Sequence, residues 1–151
     1  MTIEYLQYLR DNPSDGWSPN EPISMEEIVE LEQLYNNGAP FPKALRELLY
    51  LAGESCYVLE YGAFDDQKSI QEAVREELQE DGDEISRPFY VIDVYDPISQ
   101  FLFVYLDDGE DPVVYNTQYG DLENMHPVRP KNLSKFIRSR IDRVKEGRNP
   151  F

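Results

Sequence analysis

Apolar residues along this chain fall at two spacings, one helical and one alternating, with sharp breaks between them. Ile3, Leu6 and Leu9 recur at helical spacing beside Tyr5 and Tyr8, and a Pro- and Gly-containing segment from Asn12 to Pro22 then interrupts them. A short helix and a loop carrying Trp17 are expected there. Ser24 and Glu27 form a capping-box pair ahead of Met25, Ile28, Leu31 and Tyr35, and Asn37-Gly38 ends that stripe. Pro40 and Pro42 precede Leu45, Leu48, Leu49 and Ala52, a second amphipathic run that Gly53 closes.

Beyond Gly53 the spacing shifts. Cys56 to Tyr61 reads as a strand, and Ser69 with Glu72 repeats the capping-box pattern before the helical stripe Ile70, Ala73, Val74 and Leu78. Pro88 opens the most apolar stretch: Phe89 to Tyr95, a turn at Asp96-Pro97-Ile98-Ser99, Phe101 to Leu106, a turn at Asp108-Gly109, and Val113 to Tyr115. This predicts an antiparallel meander. Both alternating sets of its middle strand, Phe101, Phe103, Tyr105 and Leu102, Val104, Leu106, are apolar, as in a central strand covered on both faces. A loop with Gly120, Pro127 and Pro130 then leads to Asn132, a plausible cap for a closing helix with Leu133, Phe136, Ile137, Ile141 and Val144 on one stripe. Arg143 and Lys145 sit in its last turn, where the helix dipole favours cations. The expected fold class is α+β, a single domain over residues 1–151 with amphipathic helices packed against a mostly antiparallel sheet.

Composition changes this picture in two ways. At 151 residues, 40% hydrophobic and 13% aromatic, the chain is apolar enough to fold despite its charge. That charge is −16, with 30 Asp and Glu against 14 Lys and Arg, which argues against a surface broadly built for nucleic acid phosphates. Its distribution is uneven. From Arg129 onward eight basic residues face only Asp142 and Glu146, a balance of +6, which leaves −22 for the remainder. Glu72, Glu76, Glu77, Glu80, Asp81, Asp83 and Glu84 form one acidic stretch, and Asp107, Asp108, Glu110 and Asp111 a second. Such surfaces keep a protein soluble, and they also steer basic partners toward it. With no basic-then-apolar leader at Met1-Thr2-Ile3-Glu4, no run of eighteen apolar residues and one cysteine, the expectation is a cytoplasmic protein free of membrane segments.

Little in the chain points to catalysis. His126 is the only histidine, in a proline-flanked loop, and solvation accounts for it. Cys56 lies among apolar neighbours with no basic residue to lower its pKa, as expected of an inert buried thiol. There is no Gly-rich phosphate loop, and zinc would require more Cys and His. Asp107 to Asp111 lacks the ligand pattern of an EF-hand and fits a polar hairpin tip better. No catalytic, cofactor-binding or metal-binding residue is therefore assigned. Trp17, Tyr35, Phe41 and Phe64 lie in or beside predicted loops, where plugging the core edge is the commoner role and anchoring a partner the rarer one.

Several short segments carry a resemblance. Pro42-Lys43-Ala44-Leu45-Arg46-Glu47-Leu48-Leu49 with Gly53, Phe103-Val104-Tyr105-Leu106-Asp107 followed by Pro112-Val113-Val114-Tyr115, and Asn132-Leu133-Ser134-Lys135-Phe136-Ile137 together resemble the SUKH superfamily, which includes bacterial toxin-immunity proteins and fungal cell-wall-assembly regulators. The similarity spans about residues 24 to 146, with residues 1–23 a helix-and-loop extension. It implies a non-enzymatic, SUKH-like binding domain whose best-supported bacterial role is neutralising a cognate polymorphic toxin, often a nuclease, by direct contact. A nuclease's basic substrate channel suits an acidic docking face. The residues expected to make it are Glu76, Glu77, Glu80, Asp81, Asp83, Glu84, Asp107, Asp108, Glu110 and Asp111, with Tyr61, Phe64 and Tyr119 as aromatic anchors. The alternative is a regulatory scaffold of the cell-wall-assembly and glucan-synthesis kind, and a third reading is an acidic decoy for DNA-binding proteins.

Overall fold

The computed structural model describes residues 1–61, 64–95 and 99–151. Its centre is a four-stranded antiparallel sheet in the order β1 (Phe89–Tyr95), β2 (Gln100–Tyr105), β3 (Val113–Gln118) and β4 (His126–Asn132). The helices are α1 (Gln7–Asp11), α2 (Met25–Tyr35), α3 (Lys43–Ala52), α4 (Gln67–Glu80) and α5 (Leu133–Lys145). The α+β arrangement expected from the pattern is present. The apolar alternation of β2 has the expected meaning: Leu102 and Val104 face one core with α1, α2, α3 and α5, while Phe101, Phe103 and Tyr105 face another under α4. Acidic α4 and basic α5 thus occupy opposite faces of the sheet.

Several local expectations are corrected. Cys56 to Tyr61 is not a strand. The segment is a largely buried loop, and its backbone is satisfied mainly by side chains: Glu60 N–H donates to Asp93 (2.5 Å), Val58 C=O accepts from Arg140 (2.9 Å), and only Glu60 C=O takes a strand N–H, from Val94 (2.8 Å). Residues 126–132, expected to be a loop, form edge strand β4, a position where its two prolines are tolerated because one side of the strand needs no ladder donors. Helix α4 starts at Gln67, capped by Asp66, whose side chain accepts from Ser69 N–H at 2.7 Å, so Ser69 is inside the helix. Asn132 does hold the N-cap position of α5, but the capping oxygen comes from Asp111, which accepts from Ser134 N–H (2.9 Å) and Ser134 Oγ (2.6 Å). The expected turn at Asp96-Pro97-Ile98-Ser99 falls mostly outside the described residues.

The N-terminal spacing has a different outcome. Ile3, Leu6 and Leu9 are all buried as the pattern requires, but only Gln7–Asp11 is helical. Glu47 of α3 explains how so short a helix is held. One of its carboxylate oxygens accepts the backbone N–H groups of Glu4, Tyr5 and Leu6 at 2.8–3.0 Å, supplying from a distant helix the cap that Leu6 cannot provide. Glu32 does the same for the α2–α3 connection, accepting from Phe41 N–H at 2.6 Å while pairing with Arg46. Gly53 ends α3 for reasons of space: a Cβ there would lie 2.6 Å from Leu49 C=O and 2.8 Å from Ile23.

Candidate protein-binding site

The amphipathic pattern of α4 buries Ile70, Val74 and Leu78 against the sheet and turns Glu72, Glu76 and Glu80, spaced one turn apart, to solvent. Lys68 pairs with Glu72 at 3.6 Å. Glu76, Glu77, Glu80, Asp81 and Glu84 have no salt-bridge partner among the described residues. Asp83 accepts the backbone N–H of Gly120 at 2.7 Å, which ties the turn after α4 to the turn after β3. This brings Tyr119 to the acidic end of α4. Its ring packs on Phe101 (5.2 Å), and its hydroxyl is driven upward in pKa by burial and then by Glu77 and Asp81. That hydroxyl is buried without a hydrogen-bond partner among the described residues.

The second acidic stretch has a different character. Asp107 forms a two-pronged ion pair with Arg87 (2.6 Å), which holds the carboxyl below its ordinary value, and Arg87 lies over the Tyr105 ring at 3.8 Å. Asp108 accepts from Val113 N–H at 3.0 Å and closes the β2–β3 hairpin, while Asp111 caps α5. Only Glu110 presents a carboxylate with no described partner; its backbone C=O receives Ala44 N–H at the start of α3. Tyr61 and Phe64 likewise have internal roles. Tyr61 donates its hydroxyl to Ala52 C=O at 2.8 Å, burial raises its pKa well above the ordinary value, and Phe64 packs against the core under α4. The structure therefore gathers the outer face and end of α4 with Tyr119, pairs Asp107 with Arg87 at the surface, and engages Asp108 and Asp111 in holding the fold.

One candidate was missing from the expected anchors. Phe41 plugs the core at 2% exposure, whereas Trp17 is 93% exposed. Its loop is ordered by a tight turn: Asp15 accepts from the N–H groups of Trp17 and Ser18 (2.8 and 2.7 Å), which lowers its pKa, and Ser14 bridges to Pro19. Gly16 supplies the φ of +97° that the turn needs. The signal available in the sequence was Asp15-Gly16, a turn dipeptide holding the following Trp outside any apolar stripe.

The most heavily desolvated charges lie elsewhere. A β-bulge at Ile92 puts Ile92 and Asp93 on the same face of β1, so that Asp93 points at α5 and meets Arg140 at 2.7 Å, their side chains 0% and 5% exposed. Arg140 also donates to Tyr95 Oη at 2.6 Å. Burial pushes Asp93 up to about 6, opposed by Arg140. These groups are occupied with one another and with the 56–60 loop. Cys56 beside them is buried, its thiol pushed up to about 12 by desolvation. His126 is exposed at the start of β4, and no cluster of three His, Cys, Asp or Glu suited to a metal occurs among the described residues. No described helix is long and apolar enough to cross a membrane.

The fold and site define an α+β domain with an outward acidic helix on one face of its sheet and a displayed tryptophan. In comparisons with known proteins, the chain matches no family model, no curated protein and no solved structure.

Proposed function

We propose that this protein is a non-enzymatic binding domain that neutralises a basic toxin domain by docking it on the exposed face of α4. The observation that carries this reading is the set Glu76, Glu77, Glu80, Asp81 and Glu84, whose carboxylates lack an internal cation among the described residues. The basic α5 lies across the sheet, so the outer faces of the two helices are separated by two helix diameters and the sheet between them, at least about 20 Å. Physiological salt screens charges over about 8 Å. The acidic field of α4 consequently acts outward without cancellation by the +6 segment.

Charge supplies the approach and apolar contact the lasting affinity. Tyr119, which the Asp83–Gly120 bond brings to the acidic end of α4, is the half-buried aromatic beside that face. The resemblance to the SUKH superfamily supports a partner of the toxin class, and an enzyme with a basic nucleic acid channel fits the acidic face by charge. The test is inhibition. The co-encoded toxin domain is assayed with the wild-type protein and with E76K/E80K. The reading predicts inhibition by the wild type and its loss with E76K/E80K. Full inhibition by E76K/E80K would remove α4 from the interface.

A further inference from the structure

We propose that the groove between β4 and α5 is a docking surface for the acidic α4 face of a second copy of this chain, so that copies associate head to tail. The groove, about 410 Å³, is lined by Lys135 and Arg138 together with Asp142 and an Arg148–Glu146 pair at 2.6 Å, so that, among the described residues, its uncompensated cations are Lys135 and Arg138. Arg138 and Lys145 lie over the Tyr8 ring at 4.2 and 5.1 Å, and Tyr8 in turn donates to Asp142 at 2.6 Å. These contacts fix the basic face in place while leaving the cations exposed. Lys135 has no salt-bridge partner among the described residues. Arg129 and Lys131, exposed on edge strand β4, extend the same positive surface.

The complementary surface is the outer face of α4. Glu76 and Glu80 are separated by about 6 Å of helix rise, and Lys135 and Arg138 by about 4.5 Å, so one helix can run along the other with charges of opposite sign opposed. The two faces lie on opposite sides of the sheet and cannot meet within one molecule. A contact between different patches on successive copies is heterologous and leaves each end open to the next.

Salt gives this association a signature. Two copies each carry −16. At 0.01 M salt the screening length is about 30 Å and whole molecules repel; at 0.1 M it is about 10 Å and the facing helices dominate; at 1 M it is about 3 Å and their attraction is screened. Association is strongest near 0.1 M and weaker on either side. The inference stands apart from the toxin reading, because Lys135 and Arg138 have no part in that interface, although a second copy on α4 would compete with a toxin.

Sedimentation velocity tests it, using wild type, E76Q/E80Q, K135Q/R138Q and an equimolar mixture of the two variants, all substituted at exposed positions and checked for folding by circular dichroism. The expected result is a wild-type mass that rises above 17.7 kDa with concentration at 0.1 M salt, two variants that stay monomeric, and a mixture that forms a one-to-one pair through its single intact interface. A wild-type protein that stays monomeric up to about 1 mM, variants that associate like the wild type, or a mixture that stays monomeric would overturn it. If a glutamine variant fails to fold, the alanine pairs at the same positions give the same comparison.

Discussion

Replacing Arg140 with leucine should destabilise the protein strongly at pH 8 and much less at pH 5. Arg140 holds three groups at once: Asp93 (2.7 Å), Val58 C=O (2.9 Å) and Tyr95 Oη (2.6 Å). Its removal leaves a carboxylate buried without its cation, a loss of about 3–5 kcal/mol, or about 10 °C in melting temperature for a domain of this size. The pH dependence follows from Asp93, which burial already lifts from 3.8 to about 6 in the wild type. A raised carboxyl favours the protonated form of the folded state. Its stabilising contribution is complete below about 3.8 and is lost as pH rises through 6, a change of about 3 kcal/mol at 1.36 kcal/mol per pKa unit.

In Arg140→Leu the opposing cation is gone, Asp93 rises further, and the loss continues to higher pH. The gap between variant and wild type therefore widens from pH 5 to pH 8, and Asp93→Asn in the same background removes that widening. Urea denaturation followed by far-ultraviolet circular dichroism at the two pH values measures it; the exposed Trp17 is a poor reporter of unfolding. An Arg140→Leu protein as stable as wild type at pH 8, or a gap of equal size at both pH values, would refute the reasoning.

Other substitutions probe separate parts of the structure. Glu47→Gln weakens the three charge-assisted bonds to residues 4–6, with an expected loss of about 2–3 kcal/mol and faster proteolysis near the N-terminus; resistance equal to wild type would show that the anchor is dispensable. Asp111→Ala removes the α5 cap, costing about 1–2 kcal/mol in urea titration, whereas Asp107→Asn breaks only an exposed pair and should shift the midpoint little. Trp17→Ala should leave stability within about 0.5 kcal/mol. In the wild type, neutral acrylamide should quench the fluorescence of Trp17, the only tryptophan, about as well in the folded as in the unfolded protein; strong shielding would contradict its exposure.

Those contrasts also show which features were legible in the chain. The stripes of α2, α3, α4 and α5 and the two-faced apolar character of β2 follow directly from burial periodicity, and they set the layers that separate acid from base. What escaped was decided by contacts distant in sequence. Cys56 to Tyr61 has the composition of a strand, but Asp93 and Arg140 take backbone groups that a ladder would use. The β4 segment has the composition of a loop, yet an edge position tolerates its prolines. At the candidate site, the acids of α4 and of residues 107–111 look alike in sequence. They differ in structure because Arg87, Val113 N–H and Ser134 come within reach of the second group and no salt-bridging cation among the described residues comes within reach of Glu76, Glu77 or Glu80. Trp17 escaped because burial is the usual fate of a lone large aromatic, and a turn fixed by Asp15 prevents it.

The central claim, that the outer face of α4 recruits a basic toxin domain, is most directly tested by parallel affinity capture from lysate of the source organism with wild type, E76K/E80K and Glu110→Gln as baits, with retained proteins identified by mass spectrometry. The account predicts one basic toxin domain on the wild type and on Glu110→Gln, released by high salt and absent from E76K/E80K. Retention of the same protein by E76K/E80K, or capture only of cell-wall or signalling proteins, would contradict it.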